Sequence, residues 1–291
     1  MTGGERPAFA DPVLRALRCS LCGGALESTG RSLRCSAGHS FDIAKQGYVN
    51  LLHAKIVSGT ADTAEMVASR VEFLAAGHYA PLAAAITRAA KAAAPHAELV
   101  VDAGAGTGYY LATVLDALPA ATGLAVDVSA SALRRAARAH PRAAAVVWNL
   151  WQPLPLTTGC VSLVLNVFAP RNGAEFRRIL RSDGALLVVT PTRNHLAELA
   201  SIADLLDVDP DKERRVSDAL SEHFSLTALE NCTFGLSLSA IAARALIGMG
   251  PNAHHASSAR LDGITEPVEV TASCTVAVYR PRGLEDGSAA E

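Results

Sequence analysis

Two stretches of this 291-residue chain have residue types and spacings that can do chemistry. The first is CSLCGGALESTGRSLRCSAGH, Cys19 to His39, which holds three of the six cysteines. A Cys-x2-Cys pair puts two thiolates on one tight knuckle, and Gly23-Gly24 lets the backbone turn there without a Cβ clash. After twelve intervening residues, Cys35 and His39 lie on a second turn, with Gly38 just ahead of the histidine. Four ligands from two knuckles fit a closed Cys3His site, the pattern of structural zinc, with one ion per chain. A redox Cys-x2-Cys is the rival, and it leaves Cys35 and His39 without a role. With every position filled by protein, none is left to activate water. The metal is expected to fold this segment, with Leu21, Leu26, Leu33 and Phe41 as its small core.

The second stretch is VVDAGAGTG, Val100 to Gly108. Gly104, Gly106 and Gly108 are spaced G-x-G-x-G behind Asp102, whereas a dinucleotide fingerprint reads G-x-G-x-x-G. A glycine turn alone can equally be a packing turn between strand and helix. A second acid argues for a ligand: Asp127 ends the next strand, 25 residues after Asp102, where a ribose diol would lie. No basic residue stands by for a pyrophosphate, which suits an adenosine ligand without phosphates.

These residues need elements to hold them. GTADTAEMVASRVEFLAAG is expected to be a helix with Asp62 as N-cap, Glu65 at capping-box spacing and Gly77 just past its end. Pro81 suits the first turn of a second helix that runs to about Ala93. From Ala97 onward, strands (ELVVDAG, GLAVDVS, AAAVVW, VSLVLNVFAP, GALLVVTP) alternate with helices (TGYYLATVLDAL, ASALRRAARAH, AEFRRILR). Repeated βα units imply an α/β fold with a doubly wound parallel sheet and ligand at the carboxyl ends of its strands. Beyond His195 we expect a helix through Leu206, a strand near LTALENCT, a helix SAIAARALIGM and a last strand EVTASCTVAVYR. The domain reading is a zinc-binding segment 1–58, a helical linker 59–96 and an α/β domain 97–291 that holds the glycine loop.

Composition narrows the class. Half the residues are apolar, yet no run approaches the roughly 20 needed to span a bilayer. The N-terminus MTGGERPAFADP lacks the apolar core of a signal peptide, so a soluble, cytoplasmic protein is expected, with no membrane partner. Cys160, Cys232 and Cys274 stand singly in apolar contexts, as buried small hydrophobes do. The net charge of −2 excludes nucleic-acid binding by global positive charge. Residues 1–60 nevertheless hold seven Lys and Arg against four Asp and Glu, a local surplus of three.

VVDAGAGTG followed by AVDVS resembles the S-adenosylmethionine site of class I, Rossmann-like methyltransferases, which implies a mostly parallel seven-stranded sheet. The resemblance implies that Asp102, Gly104, Gly106, Gly108 and Tyr109 cradle the amino-acid part of S-adenosylmethionine. It also implies that Asp127 holds the ribose and that Asn149 and Leu150 meet the adenine, with Asn where an acid is usual. The order CSLC, CSAGHSFDIAKQGYVNLL, DTAEM, AAGHYAPL, the glycine loop, VFAPRN, TPTRNHLAEL and MGP is similar to one family, from about Leu17 to Arg280. That family is the bacterial zinc-containing 23S rRNA (guanine-N1)-methyltransferases, which modify a hairpin loop lining the peptide exit tunnel. NVFAPRN and NHLAEL are closest to its branch conferring resistance to tylosin- and mycinamicin-type macrolides. The resemblance also implies a homodimer.

Methyl transfer to guanine N1 needs an aligned base, held outside its stem, and a group that helps N1 lose its proton. The loop Asn166–Asn172 lies where that base would meet the methyl. Asn166 can hydrogen-bond the guanine. Phe168 can stack on it or belong to the core. Arg171 can meet a phosphate or the guanine carbonyl, or be a solvated surface residue. His195 can be a base, an RNA contact or a helix cap. Arg18, Arg31, Arg34, Lys45 and also Lys55 sit on or beside the zinc segment and are expected to grip RNA. The alternatives are a small-molecule methyltransferase with a zinc accessory domain and a non-catalytic RNA-binding adaptor.

Overall fold

The computed structural model describes residues 9–52, 61–199, 220–250 and 265–283. Lys55, and residues 200–206 of the helix expected to reach Leu206, lie outside them. The chain begins with α1 (Asp11–Ala16) and a small antiparallel ribbon, β1 (Glu27–Thr29), β2 (Ser32–Arg34) and β3 (Ser40–Asp42), followed by the strand β4 (Tyr48–Asn50). Two helices come next, α2 (Ala64–Ala75) and α3 (Ala80–Ala93). Then β5 (Leu99–Ala103), α4 (Tyr109–Ala117), β6 (Thr122–Asp127), α5 (Ala130–Ala139), β7 (Ala143–Val147), β8 (Val161–Val167), α6 (Gly173–Ile179) and β9 (Leu180–Pro191) alternate. A long antiparallel pair closes the fold: β10 (Phe224–Leu238) and β11 (Val268–Pro281), with α7 (Ala240–Gly248) between them.

The main sheet has eight strands in the order β10-β11-β9-β8-β5-β6-β7-β4. From β9 to β4 every pairing is parallel; β11 runs antiparallel to β9 and β10 antiparallel to β11. Seven of these strands are the expected class I set, and the eighth is β4. It comes from FDIAKQGYVNLL in the expected zinc segment and pairs with β7 through Tyr48 opposite Ala145. All residues of β5 and β8 are buried, as parallel strands covered on both faces must be.

One core lies on each face of the sheet. The first packs α3, α4 and α7 residues such as Ile86, Leu111 and Leu246 against Val100, Leu163 and Leu187. The second contains Phe9, Val13, Leu17, Leu26 and Leu33 together with Val101, Leu124, Val146 and Leu186. The ribbon is therefore built onto the sheet's own core. Leu26 and Leu33 join it as expected and Phe41 packs at its edge, but Leu21 is 54% exposed.

Helix starts follow local chemistry, with one correction. The N-cap of α2 is Thr63, whose side chain accepts from Met66 N–H at 3.2 Å, and not Asp62. Asp62 forms an ion pair with Arg70 instead. Pro81 lies in the first turn of α3, and Gly77 takes φ +80 beyond α2, where a side chain would be strained. Gly108 caps α4 at φ +78, and a Cβ there would lie 2.9 Å from the Ala136 backbone of α5. Its role is close helix packing.

We expect Gly108→Ala to cost about 2–4 kcal/mol, from left-handed strain plus the clash with α5. Urea unfolding of the zinc-loaded protein measures it; an unchanged midpoint would mean that α5 can move away.

Candidate methyltransferase site and zinc centre

The metal centre is assembled by two backbone knuckles. Cys19 N–H donates to Gly24 O at 2.7 Å and Gly23 N–H to Cys19 O at 2.8 Å, with Gly23 at φ +71. The second knuckle repeats the device: Gly38 N–H donates to Cys35 O at 3.0 Å, with Gly38 at φ +85. Ligand atoms of Cys19, Cys22, Cys35 and His39 all lie within 4.8 Å of one another. The Cys22 and Cys35 sulfurs are 3.7 Å apart, and His39 Nδ1 is 3.5 Å from Cys19 Sγ and 3.4 Å from Cys35 Sγ. Tetrahedral zinc at its usual bond lengths separates two sulfurs by about 3.8 Å and sulfur from nitrogen by about 3.5 Å. The donor set fits zinc. Burial opposes the Cys35 thiolate, but hydrogen bonds from His39 and Ala37 backbone and from the Cys22 and Cys19 thiols bring its pKa down to about 6. A donor already inclined to lose its proton favours metal binding.

The glycine loop leaves β5 at the point where the sheet's connections change direction, β6 and β7 lying on one side and β8 and β9 on the other. Gly104, at φ +87, is pressed against the neighbouring loop: a Cβ would lie 2.2 Å from Ala169 Cβ. Gly106 lies under Arg70, whose Nη1 would be 3.0 Å from a Cβ there. Gly106 N–H donates to Asp127 Oδ2 and Ser129 N–H to Asp127 Oδ1, both at 2.8 Å. Each Asp127 oxygen keeps a second lone pair for a hydroxyl. Asp102 is buried, its Oδ1 has no hydrogen-bond partner, and burial with the nearby Asp127 charge pushes its pKa up to about 8. A cation brought close would relieve that acid, and S-adenosylmethionine carries a sulfonium and an ammonium. Asn149 Oδ1 accepts from Trp151 N–H at 3.0 Å, and the buried Leu150 faces Gly104. Tyr109, the first residue of α4, also lines a groove of about 420 Å³ between α3 and α4, beside Thr87 and Thr113.

The loop after β8 is tied down from below. Asn166 is 0% exposed, and its Nδ2 donates to Ala103 O and Pro170 O, both at 2.9 Å. It staples the two loops together, so its amide hydrogens are not offered to a guanine. Phe168 is 41% exposed at φ +54, a conformation that costs about 1–3 kcal/mol and is held by its surroundings. Its ring lies 6.0 Å from that of His195, which in turn lies 6.3 Å from Tyr79. His195 Nδ1 accepts from Ser273 N–H at 3.1 Å, which leaves the ring proton on Nε2, 3.3 Å from the Tyr79 hydroxyl. The ring lies in a turn ahead of helical residues 197–199, its hydrogen bonds pointing to β11 and α3. Arg171 is largely enclosed beside Tyr279, with its Nε buried and unpartnered, and burial lowers its pKa.

The family profile described as RlmA, N-terminal, a zinc ribbon, matches residues 17–56. A Streptomyces fradiae 23S rRNA (guanine(748)-N(1))-methyltransferase is 48% identical over 280 residues, spanning 92% of this chain and 98% of that protein. A Micromonospora griseorubida protein provisionally assigned as a 23S rRNA (guanine-N(1)-)-methyltransferase is 53% identical, again over 92% and 98% of the two chains. The chain belongs to the 23S rRNA (guanine-N1)-methyltransferase family. A Haloferax volcanii complex between the Trm112 methyltransferase activator and a methyltransferase matches at TM-score 0.50 and 16% identity, over 77% of this chain and 100% of that one. That likeness is one of fold, and the fold is the class I S-adenosylmethionine methyltransferase fold with an N-terminal zinc ribbon.

Within this family member, Arg31, Arg34 and Lys45 are exposed on the zinc ribbon and its connection to β4. Arg18 is committed, its Nη1 donating to the Arg15 and Leu17 carbonyls at 2.9 and 2.8 Å. Three residues that spacing had not singled out also converge on the site: Tyr79, Arg70 and Trp151. Trp151 is 64% exposed on a segment joined to the ribbon by Arg18 N–H to Pro155 O (2.9 Å) and to the β8 loop by Asn172 Nδ2 to Leu150 O (3.0 Å). A tryptophan in the short stretch NLWQP, interrupted by Asn, Gln and Pro, was its only sequence signal. All six cysteines are free, Cys232 and Cys274 are buried and Cys160 is half-buried. No helix among the described residues is long and apolar enough to cross a membrane.

Asp102 makes stability depend on pH in a defined direction. Its folded pKa of about 8 lies above the unfolded value near 3.9, so the folded chain holds a proton that the unfolded chain releases. The contribution is complete below pH ~4 and is lost as pH rises towards ~8. Asp102→Asn should flatten the fall in Tm between pH 5 and 8 in cofactor-free protein; an unaltered slope would contradict the buried-acid account. Chelation of zinc should unfold the ribbon and, through the shared core, lower the Tm of the whole domain in one transition. Two separate transitions would contradict the shared core.

Proposed function

We propose that this chain transfers a methyl group from S-adenosylmethionine to N1 of a guanine in a 23S rRNA hairpin loop near the peptide exit tunnel. The observation that carries the reading is an exposed Phe168, held at positive φ at the mouth of the glycine-loop site, in a chain whose zinc ribbon shares a core with that site. The bound cofactor supplies an electrophilic methyl group on its sulfonium. Asp127, oriented by the Gly106 and Ser129 N–H groups, holds its ribose hydroxyls, and Asp102 complements its positive charge. Asn149 and Leu150 face its adenine.

Guanine N1 is hidden in a paired stem, so the target has to be unpaired or turned out, with an aromatic ring to stack on. Phe168 supplies that ring and His195 backs it. Asn166 acts by fixing the loop. A small-molecule substrate would give no use to the exposed Arg31, Arg34 and Lys45 or to Trp151, which extend the site towards a larger polyanion.

RNA recognition is assigned to residues 1–58, joined by the helical segment 59–96 to the transferase region 97–291. We place the protein in the cytoplasm, acting as a homodimer, and light scattering with and without RNA tests the assembly. Tylosin-type macrolide resistance follows from methylation of a tunnel-lining base and is measured as the inhibitory concentration in a susceptible host expressing the chain.

Incubation with radiolabelled S-adenosylmethionine and unmodified 23S rRNA should place label on N1 of one guanine. Label on a small metabolite and none on RNA would sink the reading. Arg31→Glu with Arg34→Glu, and separately Trp151→Ala, should weaken RNA binding about 10-fold or more and leave S-adenosylhomocysteine affinity intact. RNA binding unchanged in both would remove the ribbon and its neighbouring segment from the interface.

A further inference from the structure

Arg70 had no place in the sequence argument, yet it occupies the roof of the glycine loop. Its side chain leaves the middle of α2 and crosses to the loop, where Nη1 would stand 3.0 Å from a Cβ on Gly106. Nη1 pairs with the Asp62 carboxylate, and Nη2 donates to the Met249 carbonyl beyond α7 at 2.6 Å. Five donors less these two leave three N–H groups on a planar fork of fixed geometry. The ion pair is anchored from the other side as well: the Ser129 and Ser131 hydroxyls donate to Asp62 O at 3.0 and 3.2 Å. Burial raises the pKa of Asp127 and of Tyr110, and the guanidinium offsets part of that rise, so its charge acts on both the ribose acid and the start of α4.

The amino-acid end of S-adenosylmethionine is a zwitterion, and the rest of the molecule carries only the sulfonium charge. The acids already described, Asp102 and Asp127, complement positive charge. The cofactor's one anionic group, its carboxylate, needs a cation beside the same loop. We infer that Arg70 holds the carboxylate of the cofactor's amino-acid end, and that the Asp62 carboxylate keeps the guanidinium in position over Gly106. This rests on the S-adenosylmethionine reading of the site. Arg70 is here a binding residue, and glycine at 106 suits both the backbone, at φ +53, and the space beneath the guanidinium.

The test uses two ligands that share adenosine and a thioether but differ in the amino-acid end: S-adenosylhomocysteine and 5′-methylthioadenosine. Calorimetric titration of the full-length zinc protein gives a Kd for each. Arg70→Gln should weaken S-adenosylhomocysteine on the order of 10- to 100-fold, the loss of a charge-assisted hydrogen-bond pair, and change methylthioadenosine by less than about 3-fold. Arg70→Lys should fall between, because it keeps the charge and loses the fork. Asp62→Asn, which keeps the guanidinium but loosens it, should weaken S-adenosylhomocysteine about 3- to 10-fold and methylthioadenosine less, and its binding stays readable if Arg70→Gln fails to fold. An equal loss of both ligands in Arg70→Gln, no loss of either, or an unchanged preference in Asp62→Asn would overturn the assignment. Wild-type protein that binds neither compound would sink the cofactor reading itself, and the Arg70 assignment with it.

Discussion

The site depends on the approach of two loops at the centre of the sheet. The turn after β5 and the turn after β8 meet with no room for one additional methyl group, since Gly104 lies where a Cβ would overlap Ala169. Asn166 closes the contact from beneath by donating to a carbonyl on each side. Both hydrogens of this buried amide are satisfied by backbone, which fixes the geometry, while its Oδ1 is buried without a partner. The cofactor loop and the base-facing loop consequently move as one piece. Phe168 can be held in a strained backbone conformation because its neighbours on both sides are stapled.

Charge is arranged around that contact in a graded way. Asp102 sits deepest, with burial favouring its neutral form. Asp127 lies further out, where burial also raises its pKa but backbone N–H groups of Ser129 and Gly106 oppose the shift. Asp62 and Arg70 lie outermost as an ion pair over the loop. A ligand with a cationic centre and one anionic end finds complementary charges in this order. A fully anionic ligand such as a pyrophosphate would meet the two inner acids, which agrees with the absence of a basic residue in the loop.

The zinc ribbon is coupled to this centre through packing. Leu17, Leu26 and Leu33 share a core with Val101 and Leu124 of the central strands, and β4 extends the sheet by pairing with β7. Metal binding supplies folding free energy to a ribbon whose strands are only three residues long. Since Cys19 and Cys35 are themselves buried in that core, the metal holds the exposed arginines of the ribbon at a fixed position relative to Phe168 and Trp151.

Much was decided by local pattern. The Cys-x2-Cys and Cys-x3-His spacings fix which side chains can converge, because each knuckle is closed by hydrogen bonds within five residues. The βα rhythm from Leu99 to Pro191 was legible because strand and helix periods are properties of short segments, and the acid after β6 follows from the same register. Tertiary structure decided whatever depends on residues far apart in sequence. Asp62 had the type of an N-cap, but Thr63 lay one residue closer to the helix, and Arg70 and Met249 gave Asp62 another use. Asn166 had the type of a base contact, but burial at a crossing of loops turned its hydrogens inward. The three glycines looked alike in sequence. Only the fold assigned one to a neighbouring loop, one to a guanidinium and one to a helix, since what a missing Cβ makes room for is set by which distant backbone or side chain comes to fill the space.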